Sequence, residues 1–312
     1  MIEMRVLGSG STGNCTLVRL GGGGAGRLLM IDAGLGPRTV AKRLELDGQA
    51  PGAEQLERLD AVLLTHLDRD HFNPAWFATL KRLGATVYCH EKHLYGLYRH
   101  PPATREQVDA RVLHRLGLLR VFKDDAFVVD AMRNGDHAVP GPRVQPVGLV
   151  HDRSGVFGFE LRVTAGDVVT RLGFATDLGR ISSRLIEAFC DVDLLAIESN
   201  YDPEMQQASG RPMTLKRRIM GGRGHLSNEQ CLEAVRRIAK ASRRLPAHIV
   251  LLHLSRQCNC PHVIERLYAA HPELAARLRL THHLEPTPWL RAQGDGRPPP
   301  AAGPTQQQLS LF

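Results

Sequence analysis

The feature that most limits how this chain can fold is a series of short apolar runs that each end in a histidine or a carboxylate. The run Ala61–Leu64 leads directly into the segment THLDRDH, which supplies His66, Asp68, Asp70 and His71. Other runs end at His151, Asp177, Glu198 and His253. Short apolar runs of this kind are typical of buried strands, and loops at strand ends commonly carry functional side chains. The sequence therefore predicts a layered α/β fold with ligand-type side chains at the strand ends.

These side chains favour a metal centre. Imidazole nitrogens bind zinc and similar ions, and carboxylate oxygens can bridge two ions. Two metal ions about 3.5–4 Å apart activate a water molecule and stabilise charge on a phosphoryl or acyl oxygen. A solvated polar loop is the alternative interpretation of THLDRDH taken by itself, and the other strand ends count against it.

The remaining apolar pattern predicts strands on both sides of these positions. The further predicted strands are Met4–Leu7, Thr16–Leu20, Leu28–Ile31, Ala126–Val129, Val144–Leu149, Phe157–Val163, Val169–Ala175, Leu194–Ile197 and His248–Leu252. Helices are predicted at Pro37–Leu46, Pro74–Leu83 and Asn228–Ala241. The last of these has a capping box, because Ser227 stands at the N-cap and Gln230 follows three residues later.

Composition restricts the class of protein. The chain has 312 residues, of which 43% are hydrophobic and 23% charged, as in soluble globular proteins. No apolar run approaches the roughly 18–20 residues of a membrane-spanning helix. The N-terminal residues lack the pattern of a signal peptide, and the six cysteines form no disulfide framework. We therefore expect a cytoplasmic protein without a membrane partner.

The net charge of +8 favours a polyanionic partner. A stretch without any acidic residue leads into His225, and its candidate nucleic-acid contacts are Lys216, Arg217, Arg218 and Arg223. A solvated helix face is the alternative interpretation of such a charge run. Because only 5% of residues are aromatic, we expect contacts to backbone phosphates and not base stacking.

Near residue 291 the composition becomes rich in proline and glycine. We expect a domain over residues 1–290, followed by a disordered Pro/Gly-rich linker over 291–307. Residues 308–312 read QLSLF and resemble the bacterial sliding-clamp-binding motif. The resemblance implies that a clamp is a partner and that its contacts are Gln308, Leu309, Leu311 and Phe312.

Nine segments in a fixed order carry a wider resemblance. They are GSGSTGN (8–14), IDAG (31–34), THLDRDH (65–71), HD (151–152), FATDLG (174–179), ESNYD (198–202), LKRRI (215–219), GHLSNEQ (224–230) and HLS (253–255). From residue 4 to about 285, the chain resembles the metallo-β-lactamase fold, and more narrowly its YycJ/WalJ-like exonuclease branch. The resemblance implies a four-layered αββα sandwich with a dinuclear metal site along one edge.

The resemblance also implies roles for individual residues. His66 and His151 would bind the first metal ion, and Asp177 would bridge the two ions. Asp70, His71 and His253 would bind the second. Asp68 stands where the family motif HxHxDH has a second histidine, which makes the ligand set harder and more tolerant of manganese. We therefore expect two divalent ions, zinc or manganese.

Three residues are candidates for a catalytic role, namely His225, Glu198 and Asp70. In phosphodiesterases of this fold, such as the RNase Z group, the matching histidine and glutamate form a dyad that contacts phosphate. The alternative is that His225 only completes a turn next to Ser227. Asp32 is expected to support a ligand or a turn and not to bind metal directly.

The leading hypothesis is a metal-dependent DNA exonuclease that acts 5′ to 3′ in replication or repair and is recruited by the sliding clamp. One alternative is a hydrolase of a small or cyclic phosphodiester, or of a thioester, on the same fold. Another is a clamp-bound adaptor whose metal site is degraded because of Asp68.

Overall fold

A computed structural model describes residues 1–21, 27–46, 48, 51–101, 108–130, 141–151 and 155–292. The predicted clamp-binding residues Gln308, Leu309, Leu311 and Phe312 lie outside these ranges. None of the helices in the described ranges combines the length and the apolar character needed to cross a membrane.

The described residues form strands β1 (Ile2–Gly8), β2 (Cys15–Leu20), β3 (Arg27–Ile31), β4 (Leu59–Leu63), β5 (Thr86–His90), β6 (Leu119–Phe122), β7 (Phe127–Val128), β8 (Arg143–Leu149), β9 (Val156–Ala165), β10 (Val168–Ala175), β11 (Leu194–Glu198), β12 (His248–Leu252), β13 (Leu278–Leu280) and β14 (Leu290–Ala292). The helices are α1 (Pro37–Glu45), α2 (Gly52–Leu56), α3 (Trp76–Leu83), α4 (Glu91–Arg99), α5 (Ala110–Arg115), α6 (Ser183–Ala188), α7 (Pro203–Ala208), α8 (Met213–Met220), α9 (Asn228–Ala241), α10 (Pro261–Tyr268) and α11 (Pro272–Ala275).

The strands build two seven-stranded mixed sheets. The first has the order β14-β1-β2-β3-β4-β5-β6, and the second has the order β13-β12-β11-β10-β9-β8-β7. Strands β3 to β6 are parallel neighbours, and so are β10 to β13. Because parallel strands end at the same edge of a sheet, the residues that follow β3 and β4, and those that follow β10, β11 and β12, are brought to common edges.

The sheets pack face to face, and helices cover their outer faces. Met4, Leu63, Phe159 and Val250 belong to one buried apolar cluster, which joins both sheets. A second cluster joins the first sheet to helices that include α1 and α3, and a third joins the other sheet to α6, α9 and α10. The predicted four-layered αββα sandwich is confirmed.

The longer predicted elements are present, with shifts at their ends. The capping box of α9 is confirmed, because the Ser227 side chain accepts from Gln230 N and the Gln230 side chain accepts from Ser227 N. Several short helices, among them α4, α7 and α8, were not predicted. Each contains too few residues to show a clear periodic pattern of apolar side chains. Strand β14 pairs with β1 as far as Ala292. Arg291 and Ala292 therefore lie in a strand.

One glycine fixes how three loops of the first sheet meet. Asn14 N donates to Asp70 O at 2.6 Å, and Gly34 N donates to Asn14 O at 2.9 Å. A Cβ atom on Gly34 would lie 1.8 Å from Asp70 O and 2.8 Å from Asn14 N. Only glycine allows the backbones of these three loops to approach so closely.

We predict that Gly34→Ala lowers the free energy of unfolding by at least about 2 kcal/mol, because two backbone segments would have to move to admit the methyl group. Gly148→Ala is the matched control, since no atom lies within 4 Å of the added Cβ. Its effect should stay within about 0.5 kcal/mol. Urea denaturation measures both, and equal stability of the two variants would contradict the close-packing argument.

Candidate metal centre

The candidate site lies where strands of both sheets end. His66 and His71 follow β4 of the first sheet, whereas Asp177 and His253 follow β10 and β12 of the second. Glu198 is the last residue of β11, between those two strands. All five side chains are buried. Strand ends of both sheets therefore lie together at the edge where the sequence predicts the site.

Three residues here have an unusual backbone. The φ angles of Asp32, Asp177 and His253 are 59°, 51° and 56°. They are three of the four non-glycine residues with positive φ in the described ranges. This left-handed conformation is uncommon for residues with a Cβ atom, and such residues cluster at functional sites. Each strand thus ends in a sharp turn at a residue of the site.

Asp177 occupies the middle of the cluster. Its Oδ2 lies 2.6 Å from Nε2 of His71 and 3.8 Å from Nε2 of His66. Its Oδ1 lies 3.3 Å from Nδ1 of His253 and equally far from Nδ1 of His225. The carboxylate therefore reaches histidines on both sides, as a bridging ligand must.

Three overlapping groups of side chains have ligand atoms within 4.8 Å of one another. The groups are His66, His71 and Asp177; Asp70, His71 and His253; and Asp177, Glu198, His225 and His253. His71 belongs to two of them, and so do Asp177 and His253. The overlap makes two neighbouring cation positions geometrically possible.

The chemistry of these residues fits divalent ions. Within the described part of the chain, Nε2 of His253 is buried without a hydrogen-bond partner. The nearby Oδ2 of Asp70 is 3.6 Å away. A buried polar atom without a partner is costly, and a metal ion would satisfy it. Mixed imidazole and carboxylate donors are also the set that zinc and manganese accept.

Without a cation, protons balance the charge of the carboxylates. Burial by itself would lower the pKa of His253, but Asp177, Asp70 and Glu198 raise it to about 10. Burial would raise the pKa of Asp70, yet the neighbouring His253 and His71 lower it. The carboxylates are therefore ionised. A metal ion that binds here would displace a proton from the histidines.

Residues around the ligands fix their orientation. Oδ2 of Asp32 lies 2.8 Å from Nδ1 of His71, and Thr65 donates to Asp32 from its backbone nitrogen and its hydroxyl. Nδ1 of His151 lies 2.6 Å from Gly224 O. Each contact engages Nδ1, so a metal ion would bind these imidazoles through Nε2. Asp32 thus holds the supporting position expected from the sequence.

Two of the predicted ligands border the cluster instead of joining it. The side chain of Asp68 is 55% exposed, and its Oδ2 is 3.8 Å from Nε2 of His66. The ring of His151 lies 6.2 Å from the ring of His66. Neither belongs to the three compact groups, and the ring of His151 lies nearer to that of His225, at 5.0 Å.

His225 and Glu198 form the predicted pair. Nδ1 of His225 lies 2.6 Å from Oε1 of Glu198, and Oε2 of Glu198 accepts from Leu178 N at 2.9 Å. Glu198 is fully buried, whereas 19% of the His225 side chain is exposed. Burial would lower the pKa of His225, but Glu198 raises it above its ordinary value. The imidazole is thereby oriented and favoured in its protonated form.

Three polar contacts of the site are not predictable from the sequence. Nδ2 of Asn14 lies 2.8 Å from Nε2 of His71, and Ser9 Oγ accepts from His253 N at 2.7 Å. Asn200 donates to the carbonyl oxygen of His253 at 2.8 Å. The segment GSGSTGN marked the first loop as unusual, but nothing in its pattern indicates which ligands it contacts.

Helix α8 runs along the rim of this cluster. Near its N-terminus, Arg211 donates to Gln257 Oε1 at 3.2 Å, in the loop that follows His253. At its C-terminus, His225 N donates to Ile219 O at 2.9 Å. Arg217 and Arg218 are exposed on this helix. The predicted basic stretch therefore borders the site.

A second group of basic residues lies on and just after α9, namely Arg236, Arg237, Lys240, Arg243 and Arg244. Arg236 pairs with Glu233 at 3.2 Å, Arg243 with Asp191 at 2.9 Å and Arg244 with Asp193 at 2.6 Å. By contrast, residues 210–224 contain no Asp or Glu. The charge near α8 is thus concentrated, whereas the charge near α9 is largely compensated.

Comparison with known proteins agrees with this geometry. Residues 27–249 match the family model described as the β-lactamase superfamily domain. The chain belongs to this superfamily. It is a hydrolase of the metallo-β-lactamase fold. Its fold is similar to that of the metallo-β-lactamase fold protein YhfI from Bacillus subtilis, with a TM-score of 0.56 and 16% identity over 92% of this chain and 98% of that one.

Two curated relatives of this superfamily member carry exonuclease names. One is exodeoxyribonuclease YycJ of Bacillus anthracis, which is 28% identical over 263 residues, covering 81% of this chain and 83% of the relative. The other is exodeoxyribonuclease WalJ of Streptococcus pneumoniae, which is 25% identical over 255 residues, covering 81% of this chain and 82% of the relative. The similarity thus extends over most of each chain.

We predict that Asp177→Asn abolishes the stabilisation by divalent ions. A ligand present at about 100 times its Kd stabilises the native state by about 2.7 kcal/mol. The unsubstituted protein should therefore show a higher Tm when zinc or manganese is added after chelation. Asp167→Asn, an exposed carboxylate between β9 and β10, is the control and should keep the full shift. An unchanged shift in Asp177→Asn would remove Asp177 from the ligand set.

Proposed function

We propose that this hydrolase is a metal-dependent DNA exonuclease that cleaves phosphodiester bonds of duplex DNA from 5′ to 3′. The observation that carries the proposal is the Glu198–His225 pair, which lies beside the proposed ligands Asp177 and His253 and next to the end of the basic helix α8. The exodeoxyribonuclease names of two relatives support the same activity.

The ligands divide into two sets in this proposal. His66, His151, Asp68 and Asp177 would hold one divalent ion. Asp70, His71, His253 and Asp177 would hold the other, so that turnover also depends on Asp70. Bound ions of this kind neutralise phosphate charge and lower the pKa of water. Because Asp68 is a hard oxygen donor, we propose zinc or manganese as the ions.

His225 acts as the general acid in this mechanism. Its Nδ1 faces Glu198 at 2.6 Å, which leaves Nε2 on the opposite side of the ring to meet a substrate oxygen. Glu198 favours the protonated imidazole, which can give its proton to the oxygen that leaves phosphorus. The backbone N–H of Leu178 holds the carboxylate in place. The pair therefore combines proton donation with a fixed orientation.

The charge of α8 favours DNA over a small phosphodiester. A small or cyclic substrate needs few cations beyond the metal ions, whereas a polymer presents phosphates along the rim. The second alternative, an adaptor with a degraded site, is disfavoured by the compact ligand groups that exclude Asp68. Asp68, which replaces the family histidine, is still a carboxylate that can bind the first ion.

We predict that His225→Gln lowers the rate of DNA cleavage by roughly 10²–10⁴-fold, as for a lost general acid. Metal content, measured by mass spectrometry of the purified protein, should be unchanged. His262→Gln makes the same chemical change on an exposed part of α10 and should retain full activity. Loss of metal in His225→Gln would instead identify His225 as a ligand.

A second prediction concerns α8. Replacing Lys216, Arg217 and Arg218 by Gln should weaken binding to duplex DNA and reduce the slope of log K against log salt by about 2–3, at about 0.9 per phosphate contact. The matched control replaces Arg236, Arg237 and Lys240, which lie on α9. If both triple variants show the same salt slope, α8 is only a solvated helix face.

We further propose that the C-terminal segment recruits the enzyme to a sliding clamp during replication or repair in the cytoplasm. A peptide of residues 305–312 should bind the clamp with a Kd on the order of micromolar, because few apolar groups are buried. The variant peptide with Leu311→Ala and Phe312→Ala should not bind. Equal binding of the two peptides would contradict the clamp proposal and leave the nuclease proposal intact.

A further inference from the structure

A basic depression lies beside α1, away from the ligands themselves. Its volume is about 450 Å³, and it is lined by Arg38, Thr39, Lys42, Arg43, Leu46 and Leu284. Arg38 and Lys42 are exposed, one helical turn apart. The first turn of α1 contains no acidic residue. The depression therefore presents three cations from one short helix.

Arg43 forms the inner end of this depression. It is partly buried, and its guanidinium donates to Leu7 O at 2.6 Å and to His283 O at 3.2 Å. Both acceptors are carbonyl oxygens, so these contacts orient the guanidinium without neutralising its charge. Partial burial of a cation that carries its full charge favours an anionic ligand.

The positive charge continues from α1 towards the metal centre. Burial lowers the pKa of His283, and His282, Arg256 and Arg43 lower it further, whereas Glu285 opposes them. Arg256 stands three residues after His253 in the sequence. The backbone follows the same route, because Arg43 contacts Leu7 and Ser9 accepts from His253 N. Arg43 of α1 and Arg256 of the loop after His253 therefore both lie near His283.

We propose that this depression binds the phosphodiester backbone of duplex DNA at nucleotides away from the cleaved end. The inference rests on the proposed exonuclease function and adds a second contact region to it. Arg38 and Lys42 contact phosphate oxygens, and Arg43 supplies fixed positive charge behind them. Leu46 and Leu284, which are 66% and 58% exposed, offer apolar surface to the C–H faces of the sugars.

DNA fits this surface better than an acidic peptide does. Arg43 contacts the carbonyl oxygen of Leu7, two residues before Ser9, which accepts from the N–H of the proposed ligand His253. Arg211, two residues before α8, contacts Gln257 in the loop after His253. A polymer that enters the site therefore passes both basic regions. The acidic residues nearby, Glu45 at the end of α1 and Glu285 beside His283, lie at the margins and do not line the depression.

The test uses the full chain loaded with metal and carrying Arg38→Gln with Lys42→Gln. Both side chains are exposed, so the fold should be retained. Binding to long duplex DNA, measured by fluorescence anisotropy in the His225→Gln background, should weaken roughly tenfold, and the salt slope should fall by about 2. Cleavage of a short oligonucleotide that reaches only the metal centre should be unchanged in the enzyme with His225. Arg236→Gln with Arg237→Gln is the control and should match the parent protein.

The outcomes separate the two proposals. If the parent enzyme neither binds nor degrades DNA, the proposed function fails. If the parent degrades DNA and the α1 variant binds long duplexes as the control does, the α1 inference is overturned. It is also overturned if the α1 variant keeps its affinity for DNA and loses only an affinity for poly-glutamate, because the occupant would then be an acidic peptide.

Discussion

The structure depends on one buried carboxylate. Asp177 lies among His66, His71 and His253, where a lone negative charge would be strongly disfavoured. Burial raises its pKa, but the surrounding histidines hold it well below the usual range, so the group stays ionised. Because those histidines come from both sheets, their attraction to this carboxylate joins the two halves of the sandwich at one edge. Metal cations can replace the protons on these imidazoles, because the ionised carboxylate attracts either kind of positive charge.

A rigid backbone keeps this arrangement in place. Gly34 lets three loops pack against one another, and the left-handed turns at Asp177 and His253 aim strand ends inward. Such backbone conformations are unfavourable by themselves and persist where the surrounding contacts fix them. Asp32 and Glu198 then orient His71 and His225 by accepting hydrogen bonds from Nδ1. The site is thus prepared before any ligand binds.

The sequence predicts the main features of this site because local pattern determines them. Apolar runs that end in histidine or carboxylate indicate the strand ends, and the capping box indicates where α9 begins. The left-handed turn at His253 and the contact between Asn14 and His71 were not predictable, since they arise from packing between distant segments. Helix α8 was missed because its single buried residue, Ile219, gives no periodic stripe. The outward position of Asp68 likewise follows from loop geometry that residue type does not reveal.

The central claim is that this edge of the sandwich hydrolyses phosphodiester bonds of DNA with bound divalent ions. The most direct measurement incubates the purified full chain with duplex DNA labelled at its 5′ ends, in zinc or manganese and after chelation. We expect the label to be released as a mononucleotide at the first cleavage, without a ladder of shorter labelled strands, in a reaction that chelation abolishes and the metal restores. Intact DNA, together with hydrolysis of a small cyclic phosphodiester by the same preparation, would contradict the account.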